Sequence, residues 1–288
     1  MEGGSINPVL EFLVTSSLFT ALCPSSVCLV TFYLTGHPFL FVLPLTVFSA
    51  TLLIYTMNRF TDRNEDLINN PQRFRYIDRY GRMTLVVAAT LYLLSLGWLL
   101  RLDLSTFIVA VLPVVIAVLY SVFRLKRMFL AKNISVSSGA VCSSLIVLFY
   151  FHDFSPFSLE LSLFFFVSFL INTIVFDIKD IAGDARYHIC TLPSVCGLQK
   201  TKIACSALLL VNLLLIPVLA SSNPDALLLL SFIFYIGLYI AFAGDPRHLP
   251  PWFYGIVVDG EFLFLGVWYA LLIAMVHAAG AVPSPGFP

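Results

Sequence analysis

The chain has 288 residues, 59% hydrophobic and 11% charged, with 27 Phe and a mean hydropathy of +0.95. Soluble globular domains hold roughly 45–50% apolar and about 25% charged residues, so this composition excludes an ordinary soluble fold and points to a bundle of membrane spans. Sixteen Lys and Arg balance sixteen Asp and Glu, which leaves no basic excess of the kind that nucleic-acid phosphates require.

Crossing a hydrocarbon core of ~30 Å takes about 20 helical residues. Nine apolar stretches approach that length, at roughly 10–33, 38–57, 83–100, 104–123, 134–151, 157–176, 203–220, 226–243 and 262–279. The first contains Cys23-Pro24-Ser25-Ser26, where a kink is expected, or a shorter span followed by a re-entrant turn. The fifth carries Ser135, Ser137, Ser138, Ser143 and Ser144, small hydroxyl residues that suit close helix packing in lipid. Gly36-His37-Pro38, Asp103, His152-Asp153, Pro156, Asn223-Pro224 and the 245–251 segment punctuate the runs. No CxxC pair occurs among the six cysteines, most of which sit in or beside apolar runs, so neither a disulfide framework nor a zinc site is expected. The first basic residue is Arg59, and no charged n-region of a cleaved signal peptide precedes the first run. Residues 1–281 are expected to form one bundle, and 282–288, rich in Pro and Gly, a disordered tail.

Fifteen of the sixteen basic residues fall in the connections after the second, fourth, sixth and eighth stretches, leaving Arg101 alone on the other side. The positive-inside bias makes those connections cytoplasmic and puts the N-terminus inside. The fold expected is therefore an all-α polytopic bundle of nine transmembrane helices. Ten of the sixteen acids share the cytoplasmic side, and seven of these lie in two connections.

Asn58, Asp62 and Asp66 are spaced i, i+4, i+8, and Asp177, Asp180 and Asp184 are spaced i, i+3, i+7. Each set lies along one face if its helix continues past the membrane edge. Carboxylates so close repel unless a cation neutralises them, and hard oxygen donors suit Mg²⁺, which commonly binds one or two carboxylates plus substrate phosphates. Arg59, Arg63, Arg73, Arg75, Arg124, Lys126, Lys179, Lys200 and Lys202 stand around the two sets and can meet phosphate oxygens. The plainer alternative is that acids and bases simply pair as a solvated interfacial face.

The stretch Asn58-Arg59-Phe60-Thr61-Asp62-Arg63-Asn64-Glu65-Asp66, with Asn69-Asn70-Pro71-Gln72-Arg73 after it, resembles the first Asp-rich motif of the UbiA superfamily of intramembrane prenyltransferases. Asp177-Ile178-Lys179-Asp180-Ile181-Ala182-Gly183-Asp184, with Thr191-Leu192-Pro193 and Gly197, is similar to that superfamily's second block, and Tyr120-Ser121 with Arg124-Leu125-Lys126-Arg127 to its connection after the fourth span. The resemblance implies nine helices with both motifs facing the cytoplasm. It implies two Mg²⁺ ions held by Asn58, Asp62, Asp66, Asp177, Asp180 and Asp184. Arg59, Arg63, Arg73, Tyr120, Arg124, Lys126 and Lys179 would contact the diphosphate, and a prenyl chain would pass from its diphosphate to an aromatic or other lipophilic acceptor in membrane lipid.

Two positions depart from the pattern. Arg59 stands where the superfamily usually has Asp, which removes a metal ligand or adds a diphosphate contact, and His188 replaces a Gly near the second block. Tyr55, Phe60, Tyr120 and Phe176 are candidates for the π faces that an allylic cation needs, and Asp62, Asp180 or His188 for the proton acceptor. A terpene cyclase that uses the diphosphate alone, and a transporter with a parallel internal repeat, are the competing readings.

Overall fold

The computed structural model describes residues 8–61, 71–122, 129–181, 190–250 and 252–278. These form α1 (Pro8–Thr15), α2 (Leu18–Thr35), α3 (Val42–Thr61), α4 (Pro71–Leu102), α5 (Leu104–Val122), α6 (Ala131–Phe151), α7 (Pro156–Asp177), α8 (Leu192–Ser222), α9 (Leu229–Phe242) and α10 (Glu261–Ala278). Asp62, Arg63, Asp66, Arg124, Lys126, Asp184 and His188, and the expected tail 282–288, lie outside the described residues.

The protein is an all-α integral membrane bundle. Among the described residues, Leu18–Thr35, Arg73–Leu102, Ala131–Phe151, Pro156–Asp180, Leu192–Ser222 and Pro224–Phe242 are long and apolar enough to cross a membrane, and Leu104–Tyr120 and Glu261–Leu272 are shorter apolar helices. α3 has 20 residues, with Arg59 in its last turn. Leu93, Leu94 and Trp98 on α4 and Ile203 and Leu214 on α8 are all at least 63% exposed. Large side chains displayed at that density need lipid around them.

Each of α2 to α9 packs against the next, and α10 returns to α2 and closes the bundle. α2 and α7 are the most enclosed, 72% and 67% buried against 22% for the spans of α4 and α8. With apolar contacts available on every side in lipid, small and hydroxyl residues hold the centre. Thr31 Oγ1 donates to Ser144 Oγ at 3.2 Å, and Ser144 pairs with Ser162 at 3.0 Å, joining α2, α6 and α7. Asn212 Nδ2 on α8 donates to Ser168 Oγ and to the Phe164 carbonyl on α7.

The first apolar run breaks earlier than its sequence suggests. The chain turns at Ser17, with φ 67°, and α2 then continues through Pro24. Ser25 Oγ donates to the Ala21 and Pro44 carbonyls and Ser26 Oγ to the Leu22 carbonyl, which adds side-chain bonds to the turn that Pro24 weakens by having no N–H to offer the Thr20 carbonyl. At the other break, a guanidinium nitrogen of Arg59 donates to the Thr15 carbonyl.

The two ends of the bundle differ. At one, acids serve as local caps. Asp103 accepts from the Thr106 amide at 2.6 Å, and hydrogen bonds from Ser105 and Thr106 hold its carboxyl down to about 2. Asp153 meets His37 at 3.1 Å, and Asp225 accepts from Tyr33. The opposite end receives the C-termini of α3, α5 and α7 and the N-termini of α4, α6 and α8, and every acidic and basic set singled out from the sequence belongs to that end or to the connections leaving it.

α10 approaches α2 closely at Gly266, where a Cβ would lie 2.7 Å from Ser26 Cβ. Replacing Gly266 by Leu is therefore expected to cost about 1–3 kcal/mol in thermal unfolding of the purified protein. Gly97→Ala, where a Cβ meets nothing within 4 Å, is expected to be neutral or slightly stabilising. Equal effects of the two would contradict this packing.

Candidate active site

Thr191 and Pro193 act where helix-start chemistry predicts. The Thr191 side chain accepts from the Ser194 amide, Ser194 Oγ accepts from the Thr191 amide, and Pro193 occupies the first turn of α8. Gly197, with φ 78°, then interrupts the helix in a conformation that favours glycine. Two anchored chain ends, at the close of α7 and the start of α8, thus bound the second acidic block.

Asp177 is 2% exposed. Lys132 Nζ lies 2.6 Å from its Oδ1, and Asn133 Nδ2 donates to Oδ2 at 2.9 Å. The pair fastens the N-terminus of α6 to the C-terminus of α7, and it answers the cost of burying a charge by supplying a cation and a second donor. Asp180, in the 3₁₀ turn Ile178–Asp180, is exposed. Lys179 stands between them with Nζ 3.5 Å over the Phe176 ring, and the charges of Asp180, Arg73, Asp259 and Lys132 all act on it.

Below this cluster opens a cavity of about 270 Å³. Its polar rim includes Asn58, Tyr120 and Lys132, and its walls include Tyr55, Phe169 and Phe262. The Phe169 and Phe262 ring centroids are 4.0 Å apart. Of the aromatic candidates, Tyr55 and Tyr120 line the cavity, Phe176 lies under Lys179, and Phe60 packs beside Gly81 on α4. Sequence reasoning missed Phe169 and Phe262, because nothing local separates them from the other 25 Phe.

Two more acids emerge that were assigned only to a connection. Asp259 lines the cavity, with Oδ2 accepting from Thr20 at 2.7 Å and its carbonyl accepting from Cys23 Sγ at 3.1 Å. It occupies the turn before α10, and burial raises its carboxyl above the ordinary range against the Thr20 bond and the charges of Lys179, Arg73 and Arg59. Glu261 is fully buried and faces a separate groove between α9 and α10. The signal that could have found both is Asp259-Gly260-Glu261 at the very edge of an apolar run, where an ionisable residue needs a reason to be.

Of the expected site residues that are described, Asn58, Arg73, Tyr120, Asp177, Lys179 and Asp180 come to this one end of the bundle. Arg59 does too, but it is 7% exposed and holds the end of α1 through Thr15. Its charge still reaches Asp259. The donors available to a metal here are hard oxygens, the amide of Asn58 and the carboxylates of Asp177 and Asp180, which fit Mg²⁺ in kind. Among the described residues no group of three acidic, His or Cys side chains is close enough to hold a metal by itself.

The sequence matches the family model of the UbiA prenyltransferase family over residues 17–248. The chain belongs to this family. Its structure is similar to that of a UbiA homolog from Archaeoglobus fulgidus bound to GPP and Mg²⁺, at 15% identity and a TM-score of 0.67 over 89% of this chain and 98% of that one. It is also similar to the apo form of a UbiA homolog from Aeropyrum pernix K1, at 15% identity and 0.63 over 88% and 97%. A third likeness is to a digeranylgeranylglyceryl phosphate synthase, at 15% identity and 0.57 over 90% and 95%. At these identities the likeness is one of fold. No curated protein matches the sequence.

Removing Lys132 leaves a buried carboxylate with Asn133 alone. Lys132→Met is expected to destabilise the protein by about 3 kcal/mol in chemical or thermal unfolding, and the double variant Lys132→Met with Asp177→Leu by less than the single one. A double variant at least as unstable as the single would show that the pair does not carry this charge balance.

Proposed function

We propose that this protein is a Mg²⁺-dependent intramembrane prenyltransferase that moves an isoprenoid chain from a prenyl diphosphate to an aromatic or other lipophilic acceptor. In this reading nine helices cross the membrane, the N-terminus and the active site face the cytoplasm, and two Mg²⁺ ions bind with the diphosphate. The observation that carries it is the placement of oxygen donors and cations at the rim of an aromatic-walled apolar cavity, at the end of the bundle where the two acidic blocks leave it. GPP and Mg²⁺ on the Archaeoglobus homolog support the same donor and metal here.

Asn58, Asp177 and Asp180, with Asp62, Asp66 and Asp184, are the proposed metal ligands. Mg²⁺ bound there would offset the negative charge that grows on the departing diphosphate. Lys132, Arg73 and Lys179, with Arg59, Arg63, Arg124, Lys126 and the Tyr120 hydroxyl, hold and neutralise the diphosphate from the protein side. Lys132 is central because it both lines the cavity and pairs with Asp177, so an arriving anion meets a cation already in place. The isoprenoid tail lies among Tyr55, Phe169 and Phe262, whose π faces stabilise an allylic cation and whose apolar packing excludes the water that would capture it.

The test is release of diphosphate from labelled C15 and C20 prenyl diphosphates with Mg²⁺. Asp177→Asn and Asp180→Asn are expected to lower it on the order of 10²–10³-fold, and chelation of Mg²⁺ to abolish it reversibly. Release unchanged in both variants would overturn the assignment. A terpene hydrocarbon or alcohol as the main product with acceptor present would replace the transferase with a cyclase.

A further inference from the structure

Among the described residues, the carboxylate in the wall of the cavity between Tyr55, Phe169 and Phe262 is that of Asp259. It arrives from the turn that joins the Phe253–Val258 segment to α10, and three contacts fix it. Thr20 Oγ1 holds Oδ2 at 2.7 Å, Cys23 Sγ donates to the Asp259 carbonyl, and Asn172 Nδ2 on α7 donates to the neighbouring Val258 carbonyl at 2.7 Å. Among the described residues, no donor closes on Oδ1. Along α7, Asn172 precedes Asp177 by five residues, or ~7 Å at the helical rise. The carboxylate is therefore level with the cavity walls, about one and a half turns below the rim where the diphosphate is proposed to sit.

We infer that Asp259 is the proton acceptor of the coupling step, and that the acceptor substrate is a phenol or alcohol seated against Thr20 and Asp259. This rests on the prenyl-transfer reading above. In the step, the bond between C1 of the prenyl chain and the diphosphate oxygen breaks, and its electron pair leaves with the diphosphate. The acceptor oxygen, or the ring carbon activated by it, forms the new bond to C1 with its own electron pair. The proton lost from that atom passes to Asp259 Oδ1, while Thr20 keeps the carboxyl oriented through Oδ2. The neighbouring acid is unsuited to this role, because Glu261 is fully buried on the far side of the turn and faces the α9–α10 groove. Asp177 is unsuited because it sits at the rim as a proposed metal ligand, already accepting from Lys132 and Asn133. The raised carboxyl of Asp259, a consequence of its burial, is what a base working near neutrality needs.

The experiment uses the full chain in nanodiscs with labelled geranylgeranyl diphosphate, Mg²⁺ and a panel of simple phenols and long-chain alcohols. Wild type, Asp259→Asn, Asp259→Glu and Thr20→Val are compared by mass spectrometry of products, by diphosphate release and by affinity for geranyl thiodiphosphate. Asp259→Asn is expected to lose on the order of 10²–10⁴-fold in alkylated product while binding the thiodiphosphate within about threefold of wild type, a range well below one tenfold step of affinity. Asp259→Glu should recover part of the activity and Thr20→Val should show a smaller loss. The acid limb of the wild-type kcat/KM profile should flatten in Asp259→Asn. Cys23, Tyr55, Arg59, Arg73, Lys179 and Glu261 also surround this position, and none of them is altered in that variant. Alkylated product from Asp259→Asn at the wild-type rate would overturn the inference and leave the transferase intact. Wild-type release of diphosphate with no alkylated phenol or alcohol would overturn both the acceptor class and the inference. No release at all would overturn the proposed function itself.

Discussion

The charge on Asp177 governs how this end of the bundle is built. A carboxylate 2% exposed at the end of a membrane helix is costly unless paired, and Lys132 with Asn133 from the start of α6 supplies the pairing. That requirement aligns the ends of α6 and α7. The same alignment places Lys132 on the cavity rim and sets Asn172, farther back on α7, against the segment that carries Asp259. One ion pair thus connects the depth of α7 in the bundle, the opening of the cavity and the position of the acid in its wall.

The two ends of the bundle illustrate what carboxylates do when they are needed only for structure. Asp103, Asp153 and Asp225 at the far end bond to hydroxyls, amides and a histidine within their own turns or across one contact. At the near end, Asp177, Asp180 and Asp259 share a field with Arg59, Arg73, Lys132 and Lys179. A cluster of both signs is expensive to assemble beside hydrocarbon, and it suits a substrate with an anionic head and an apolar tail.

Much of this was legible in the sequence because the constraints are local or topological. Apolar run length set the helices to within a few residues at most boundaries, and the one-sided basic residues marked the end where charges gather. Two long helices begin well before their apolar runs, α4 at Pro71 and α8 at Leu192, because their first turns carry polar and charged residues. What was hidden depends on distance in sequence. Asp259 meets Thr20 across 239 positions, and Lys132 meets Asp177 across 45. The break at Ser17 lies beside Thr15, whose carbonyl accepts from Arg59 across 44 positions. Phe169 and Phe262 are distinguished from other phenylalanines only by the cavity between them.

The central claim is that the rim around Asn58, Lys132 and Asp177 receives a metal-bound prenyl diphosphate. An experimental structure with geranyl thiodiphosphate and Mg²⁺ tests it most directly. The account predicts the diphosphate beside Lys132, metal density at the Asp177 and Asp180 carboxylates, and the geranyl tail between Tyr55, Phe169 and Phe262. A diphosphate found in the α9–α10 groove, or a tail directed away from those aromatic walls, would contradict it.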